Sequence, residues 1–311
     1  MGSSSEIGVN MAEKILINGS GALATLFAAR LSAAGLQVTM LGTWAEGLAA
    51  LKEHGAVLVD PDGSEHAYPV RVLEGSSPHE RFRHALVLVK SWQTGRAALQ
   101  LLDCLHEEGL ALTLQNGLGN REVLTHVLGP ERVAQGVTTL GGTLLSPGRV
   151  RLGGDGSLSL ENHPRLDELA GMLRGAGFQV DLVPEASSLI WGKLVINSAI
   201  NPLSAVLRVK NGELVKNPAS RALIAKLAME TAAVAAKKGI SLPYPDPVAA
   251  AEEVARRTSD NRSSMLQDVL RSAPTEIDAI SGAIVNLGVS LGLPTPYNEC
   301  MYRLVQAFPT L

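Results

Sequence analysis

The sequence predicts an α/β domain followed by an all-helical domain. Strand-like and helix-like segments alternate from Lys14 to about residue 183, and a glycine turn, "NGSGALA", separates the first strand from the first helix. From Glu185 onward the strand signal disappears, and apolar residues recur with the period of a helix. We therefore expect one domain over residues 12–184 and a helical domain over residues 185–311.

The glycine turn indicates a dinucleotide site. The stretch "KILINGSGALATLFAARLSAAGLQVTML" predicts a strand, a turn, a helix ending at Gly35 and a second strand, with Gly19, Gly21 and Ala24 matching G-x-G-x-x-A. Such glycines permit a tight turn and close approach of a pyrophosphate, and the small third residue lets the helix pack near the strand. The motif therefore predicts a Rossmann-like domain. Its expected cofactor-binding segment is Gly19, Ser20, Gly21, Ala22, Leu23 and Ala24.

The next elements continue the sheet. "GAVLVDPDGSEHAYPVRV" predicts two strand-like runs around an Asp-Gly turn, and the strand "HALVLVK", a helix over 93–106 and the strand "LALTL" come after it. Lys90 and Asn116 each follow a strand. Because ligands bind at the carboxyl ends of such strands, both are candidates for the site. The alternatives are a solvated surface lysine for Lys90 and an ordinary turn residue before Gly117 for Asn116.

The end of the first domain and the helices after it complete the prediction. "TLLSPGRVRLGG" and "SLSLE" predict an antiparallel hairpin added to the parallel sheet, followed by a helix near 165–175 and the strand "FQVDLV". In the C-terminal half, a long helix ends near Gly239. Two more helices lie in "SSMLQDVLRSAPTEIDAISGAIVNLGVSLG", and Pro274 and Thr275 open the second. Glu276 would then lie in a first helical turn, where a carboxylate is often only a favourable partner of the helix dipole.

A polar stripe interrupts the apolar stretch "WGKLVINSAINPLSA". Lys193, Asn197 and Asn201 recur at four-residue intervals and so share one face of a helix, while the residues around them are mostly apolar. An amine and two amides are costly to bury without hydrogen-bond partners. Either neighbouring backbone carbonyls satisfy them, or they face a ligand.

Composition limits the classes of function. The 311 residues are 46% hydrophobic and 18% charged, which is typical of a well-packed globular protein. A net charge of −3 without a basic run argues against nucleic acid as a partner, and no apolar stretch is long enough for a membrane span. "MGSSSEIGVN" lacks the apolar core of a signal peptide, and whether residues 1–10 are native is left open. Two cysteines suit a reducing cytoplasm, and the seven histidines show no metal-ligand spacing, so we expect a cytoplasmic protein without a metal site.

These motifs together resemble the ketopantoate reductase family, from about Lys14 to the C-terminus. The matching stretches occur in one order along the chain: the early glycine motif, "VK" with Lys90, "NGLG" with Asn116, "WGKLVINSAINPLSA", "NGEL" at 211–214, "SSMLQD" at 263–268 and "TEID" at 275–278. The resemblance implies NADPH-dependent reduction of 2-dehydropantoate to pantoate, on the route to pantothenate and coenzyme A. It implies Lys193 as proton donor, Lys90 and Asn116 as contacts of the cofactor near its reactive end, and a substrate pocket lined by Asn197, Asn201, Asn211, Ser264 and Glu276.

The chemistry of a 2-oxo acid reduction agrees with these roles. The reaction needs a proton for the developing alkoxide and donors for the carboxylate, which Lys193 and Ser264 can provide. An ionised Glu276 only accepts hydrogen bonds and therefore suits a substrate hydroxyl, so we count it with Lys193 as catalytic.

The choice of cofactor stays open at the sequence level. The family commonly places an arginine after the second strand to hold the 2′-phosphate of NADP, and Thr43 stands there instead. We expect NADP(H), with NAD(H) left open, and we name Lys52 and Arg71 as other sources of the missing charge. Thr43, and Gly141 of "GVTTLGG", complete the expected cofactor-binding set.

Three other functions remain open on the residues alone. β-Hydroxyacid dehydrogenases also present Lys-x-x-x-Asn on a helix after a Rossmann domain, although Asn201 and the later motifs favour ketopantoate reductase. Dehydrogenases that use a histidine acid fit less well because no histidine follows His163. A dinucleotide sensor without turnover would not need Lys193 and Glu276. The sequence does not fix the oligomeric state, and a homodimer is kept as an expectation.

Overall fold

The computed structural model describes residues 13–60, 62–73 and 80–309. The expectation for residues 1–10 lies outside these ranges, as do residues 12, 310 and 311 at the ends of the two expected domains. The strands are β1 (Lys14–Asn18), β2 (Gln37–Leu41), β3 (Ala56–Val59), β4 (Glu65–Tyr68), β5 (Arg71–Val72), β6 (Phe82–Val87), β7 (Leu105–Thr113), β8 (Val133–Thr138), β9 (Gly142–Ser146), β10 (Arg149–Leu152), β11 (Ser157–Glu161) and β12 (Gln179–Val183).

Eight of these strands form the main sheet, in the order β12-β11-β8-β7-β6-β1-β2-β5. The central strands pair in parallel, and the sheet becomes mixed where β11 pairs antiparallel with β8. The carboxyl ends of β1, β2, β6, β7 and β8 therefore lie along one edge. This edge is where the glycine turn, Lys90 and Asn116 are found.

The strands of the predicted hairpin are present, but only β11, the "SLSLE" segment, joins the main sheet, where it pairs antiparallel with β8. β9 and β10 pair antiparallel with each other, and β10 pairs with β3 in a separate four-stranded sheet, β4-β3-β10-β9. The helix after the glycine turn explains why, because its buried residues cover most of its circumference. One side packs on the main sheet, and the second sheet covers the other side.

The helices are α1 (Ala22–Ala33), α2 (Ala45–His54), α3 (Thr94–Cys104), α4 (Asn120–Leu128), α5 (Asp167–Gly175), α6 (Ser187–Leu207), α7 (Asn211–Lys216), α8 (Pro218–Lys237), α9 (Pro247–Arg257), α10 (Ser264–Leu270), α11 (Ala283–Leu291) and α12 (Pro296–Gln306). No strand follows Val183 in the described part of the chain, so the predicted fold class, α/β and then helical, is confirmed. α6 is central to the helical part and packs against α8, α9, α10 and α12. We propose the domain boundary at residue 184, between β12 and α6.

The expected helix start at Pro274 and Thr275 was wrong. A π-helix over Asp278–Gly282 precedes α11, and the Glu276 carbonyl accepts from the Ala279 and Ile280 N–H groups at 3.1 Å each, so Glu276 lies at the start of this helix and not inside its first turn. Its side chain points toward the sheet edge, where it accepts from the Ser91 N–H. Within the described residues, no helix is both long and apolar enough to cross a membrane.

Candidate active site

The glycine turn forms a cradle between β1 and α1. Gly19 has φ +139°, and a Cβ there would lie 2.9 Å from the Leu88 carbonyl oxygen, so only glycine fits. A Cβ on Gly21 would meet nothing within 4 Å, which leaves open space in front of α1. No side chain caps α1 and no acidic residue lies in its first turn, while Ala24 is fully buried. Free N–H groups and open space at a helix N-terminus suit a pyrophosphate.

The loop after β2 carries Thr43 at the surface. The Gln93 amide donates to Thr43 Oγ1 at 3.2 Å, which ties this loop to the start of α3. Arg71, one of the two other candidate cations, makes two hydrogen bonds to the Glu80 carboxylate at 3.0 Å each. Its charge is thus already paired.

Lys90 joins the two halves of the chain. Its ammonium donates to Asp268 Oδ2 at 2.6 Å and lies 3.8 Å from Glu276 Oε2. Burial lowers the pKa of Lys90, but the negative charges of Glu276 and Asp268 together outweigh burial and leave the pKa above its ordinary value. Lys90 is therefore a half-buried cation paired with Asp268, and not an unpaired surface lysine.

Glu276 is the acceptor at the centre of this network. It is buried, and its carboxylate accepts from the Ser91 N–H at 3.1 Å and from the Asn116 amide at 3.2 Å. Both donors belong to loops at the sheet edge. A carboxylate has about four lone-pair positions, so two donors leave room for a third, such as a substrate hydroxyl.

The loop that carries Asn116 docks against the π-helix. Gly117 has φ +80°, and a Cβ there would lie 2.5 Å from the Ala279 carbonyl oxygen, which itself accepts from the Leu118 N–H at 2.9 Å. Asn120 donates to the Asn116 carbonyl at 2.9 Å. The sequence interpretation of Asn116 as a plain turn residue misses this docking.

Lys193 occupies a cleft beside Asn116. The cleft is lined by Gln115, Asn116, Gly117, Val137, Ile190, Lys193, Leu194 and Asn197. The Lys193 ammonium donates to the Thr138 carbonyl at 2.7 Å. Burial lowers the pKa of Lys193 to about 8, against the opposing charge of Glu276. A lysine with a pKa near neutrality is suited to proton transfer.

The side-chain amides of the stripe lack hydrogen-bond partners in the described part of the chain. Within the described ranges, neither Asn197 nor Asn201 makes a side-chain hydrogen bond, although Asn201 is buried. Ser204 of α6 donates to Ser263 at 2.6 Å, which fixes the start of α10 beside α6. Ser264, the next residue, is partly buried and its hydroxyl also lacks a partner among the described residues. These donors are available to a ligand.

Two expected site residues lie apart from this cluster. The Asn211 amide donates to Thr258 at 2.9 Å, its N–H donates to the Asn261 carbonyl, and its buried side-chain oxygen has no partner among the described residues. The structure shows no contact of Asn211 with Lys193 or Glu276. Gly141 is exposed, and its carbonyl accepts from Gly153. Their roles in binding remain predictions, as do those of the other site residues.

Sequence reasoning missed two functional groups. Asp268 ends the quoted motif "SSMLQD" but received no role, and a carboxylate among apolar residues is the signal that could have found it. The Thr138 carbonyl leaves no side-chain signal at all. Both act on a lysine far away in the sequence.

Two sequence models of one protein family match most of the chain. The sequence model described as "Ketopantoate reductase PanE/ApbA" matches residues 15–165, and its counterpart "Ketopantoate reductase PanE/ApbA C terminal" matches residues 185–308. The 2-dehydropantoate 2-reductase of Archaeoglobus fulgidus is 34% identical over 299 residues, which cover 94% of this chain and 97% of that protein.

Two solved structures are similar over almost the whole chain. A PanE/ApbA family ketopantoate reductase from Ralstonia eutropha has a TM-score of 0.88 and 30% identity, with 95% of this chain and 98% of that chain covered. A D-mandelate dehydrogenase solved with NADH and anilino(oxo)acetate also has a TM-score of 0.88, at 28% identity, with 94% and 97% covered. The same scaffold therefore occurs in a ketopantoate reductase and in a D-mandelate dehydrogenase.

Proposed function

Because the chain belongs to the ketopantoate reductase family, we propose that it reduces 2-dehydropantoate to pantoate with NADPH, in the synthesis of pantothenate and coenzyme A. The observation that carries the proposal is Lys193, a lysine with a pKa of about 8 in a cleft shared with Asn116 and Asn197. The dinucleotide turn and this cleft lie at the same edge of the sheet.

The chain fits a dinucleotide in its cradle. The open space in front of Gly21, the uncapped N-terminus of α1 and the close packing of Gly19 are suited to a pyrophosphate. In this proposal, Lys90 and Asn116 hold the cofactor near its reactive end, and Thr43 faces its adenosine ribose. When bound, the cofactor supplies the hydride.

The cleft residues Lys193 and Asn197 share the remaining roles with Asn201, Ser264 and Glu276. Lys193 donates a hydrogen bond to the substrate carbonyl oxygen and gives it the proton as negative charge develops. Asn197, Asn201 and Ser264 donate to the other substrate oxygens. Glu276, with two acceptor positions filled by Ser91 and Asn116, accepts from the substrate hydroxyl.

The preference for NADPH over NADH is proposed to be modest. Thr43 is neutral, and Arg71 is already paired with Glu80. Thr43 and the tethered Gln93 can hydrogen-bond a phosphate without neutralising it. A missing charge-assisted bond of about 1.5–3 kcal/mol corresponds to roughly one to two powers of ten in affinity.

A second candidate is the reduction of an aryl 2-oxo acid. The D-mandelate dehydrogenase matches this chain as well in structure as the ketopantoate reductase does, and it was solved with NADH. The two candidates share Lys193 and differ in substrate. A hydroxyl on the substrate, which ketopantoate has and phenylglyoxylate lacks, gives Glu276 a donor and so favours the first.

Steady-state kinetics separate these candidates. We expect kcat/KM with ketopantoate to exceed that with phenylglyoxylate, and NADPH to exceed NADH. A higher kcat/KM with phenylglyoxylate than with ketopantoate would favour the second candidate, the reduction of an aryl 2-oxo acid. No oxidation of either reduced cofactor with either acid would leave the family assignment intact and overturn both proposals.

A further inference from the structure

Among the described residues, one backbone oxygen accepts a hydrogen bond from the Lys193 ammonium. Its Nζ donates to the Thr138 carbonyl at 2.7 Å, across the boundary between α6 and the end of β8. A lysine side chain is a flexible stem that ends in three donors. Fixing one donor restricts the directions of the other two, which remain available to a substrate oxygen in the cleft.

The carbonyl that holds Lys193 is itself fixed by a backbone bond and by a side chain. The Thr139 N–H, which belongs to the same peptide unit, donates to the Ser157 carbonyl at 3.0 Å. Thr138 is buried, and its hydroxyl oxygen accepts from the Leu140 N–H at 3.0 Å. Such a bond from the N–H two residues ahead closes a local turn of the backbone. Leu140 packs in the hydrophobic core, so the turn is anchored at both ends.

We propose that Thr138 is a positioning residue for the proton donor. Its hydroxyl fixes the turn at the end of β8, the turn fixes the Thr138 carbonyl, and the carbonyl aims the Lys193 ammonium at the substrate carbonyl oxygen. The inference rests on the proposed role of Lys193 in reducing a 2-oxo acid. The inference adds that catalysis requires a hydroxyl at residue 138. The residues that line the cleft do not show this requirement.

Matched substitutions isolate this hydroxyl. Thr138→Val keeps the shape and β-branching of the side chain but removes the acceptor, whereas Thr138→Ser keeps the acceptor. Thr139→Val serves as the control, because the Thr139 hydroxyl accepts from the Ser157 N–H of β11 at 2.9 Å and makes no hydrogen bond to Lys193 or Leu140 among the described residues. If Thr138→Val does not fold, Thr138→Ala provides the same comparison with serine.

The kinetic test uses whichever 2-oxo acid the wild-type enzyme reduces. We expect Thr138→Val to lower kcat by about 10-fold to 100-fold, with little change in KM, since misplacing a catalytic group acts on the chemical step. Thr138→Ser should restore kcat, and Thr139→Val should retain it. In a Lys193→Ala background, Thr138→Val should have no further effect, because its effect passes through Lys193.

A second measurement does not depend on turnover. Labelling of Lys193 by acetic anhydride, followed by mass spectrometry of the free enzyme, should be several-fold faster in Thr138→Val than in the wild type and in Thr138→Ser. Equal kcat and equal labelling in the valine and serine variants would overturn the proposal. So would an undiminished effect of Thr138→Val in the Lys193→Ala background. A wild type that reduces no 2-oxo acid overturns the proposed function, and the labelling comparison still decides the role of Thr138.

Discussion

The pKa of Lys193 predicts how catalysis changes with pH. A lysine with a pKa of about 8 is roughly 90% protonated near pH 7 and roughly 10% protonated near pH 9. Because the reduction needs the ammonium form, kcat/KM for the 2-oxo acid should fall about tenfold over this interval. The reverse oxidation needs the neutral amine and should rise over the same interval. Initial rates of cofactor oxidation and reduction across this pH range measure both directions.

Replacing the lysine tests whether it causes this pH dependence. Lys193→Ala should lower kcat by on the order of 10² to 10⁴ and remove the fall above pH 8, while the affinity for NADPH stays close to that of the wild type. Cofactor affinity measured by calorimetry serves as the control for folding. A profile that falls with the same midpoint in Lys193→Ala would refute the reasoning, since another group would then carry the proton.

Three further substitutions test separate parts of the site. Glu276→Gln should lower kcat/KM for ketopantoate by about one to two powers of ten, because a hydrogen bond to an ionised group contributes about 1.5–3 kcal/mol; unchanged steady-state kinetics would remove Glu276 from the site. Thr43→Arg should raise the ratio of kcat/KM for NADPH to that for NADH, and a wild type that uses NADH at least as well would contradict the stated preference. Gly117→Ala should lower the free energy of unfolding by more than Gly119→Ala, measured in urea, since both have positive φ but only Gly117 lies against Ala279; equal losses would show that this contact contributes nothing.

Local patterns made much of the fold predictable. The turn with Gly19 and Gly21 is set by residues that are adjacent in sequence, and the polar face of α6 follows from a four-residue period. The placement of the second sheet was not predictable in this way. It depends on β10 pairing with β3, about ninety residues earlier, and no local pattern specifies that partner.

The site shows the same difference between local patterns, which the sequence reveals, and contacts between distant residues, which it does not. Lys90 and Glu276 were named from motifs, but their joint network with Asp268 brings together residues 178 positions apart. Backbone groups are harder still to predict as parts of a site. Every non-proline residue has an N–H and a carbonyl, so nothing in the sequence distinguishes the Thr138 carbonyl or the Ser91 N–H. Only the fold shows which of them face a lysine or a carboxylate.

Contacts between the two halves of the chain are expected to couple the cofactor site to the substrate site. Lys90 and Asn116 belong to the N-terminal half and are expected to contact the cofactor, yet both interact with Glu276, the expected acceptor of the substrate hydroxyl. Any movement of Lys90 or Asn116 toward a cofactor therefore changes the ion pair and the hydrogen bond that Glu276 makes with them. Because coupling between two sites is reciprocal, substitutions at Glu276 should alter cofactor affinity as well as substrate affinity. A change in one affinity without the other would mean that the two halves act independently despite these contacts.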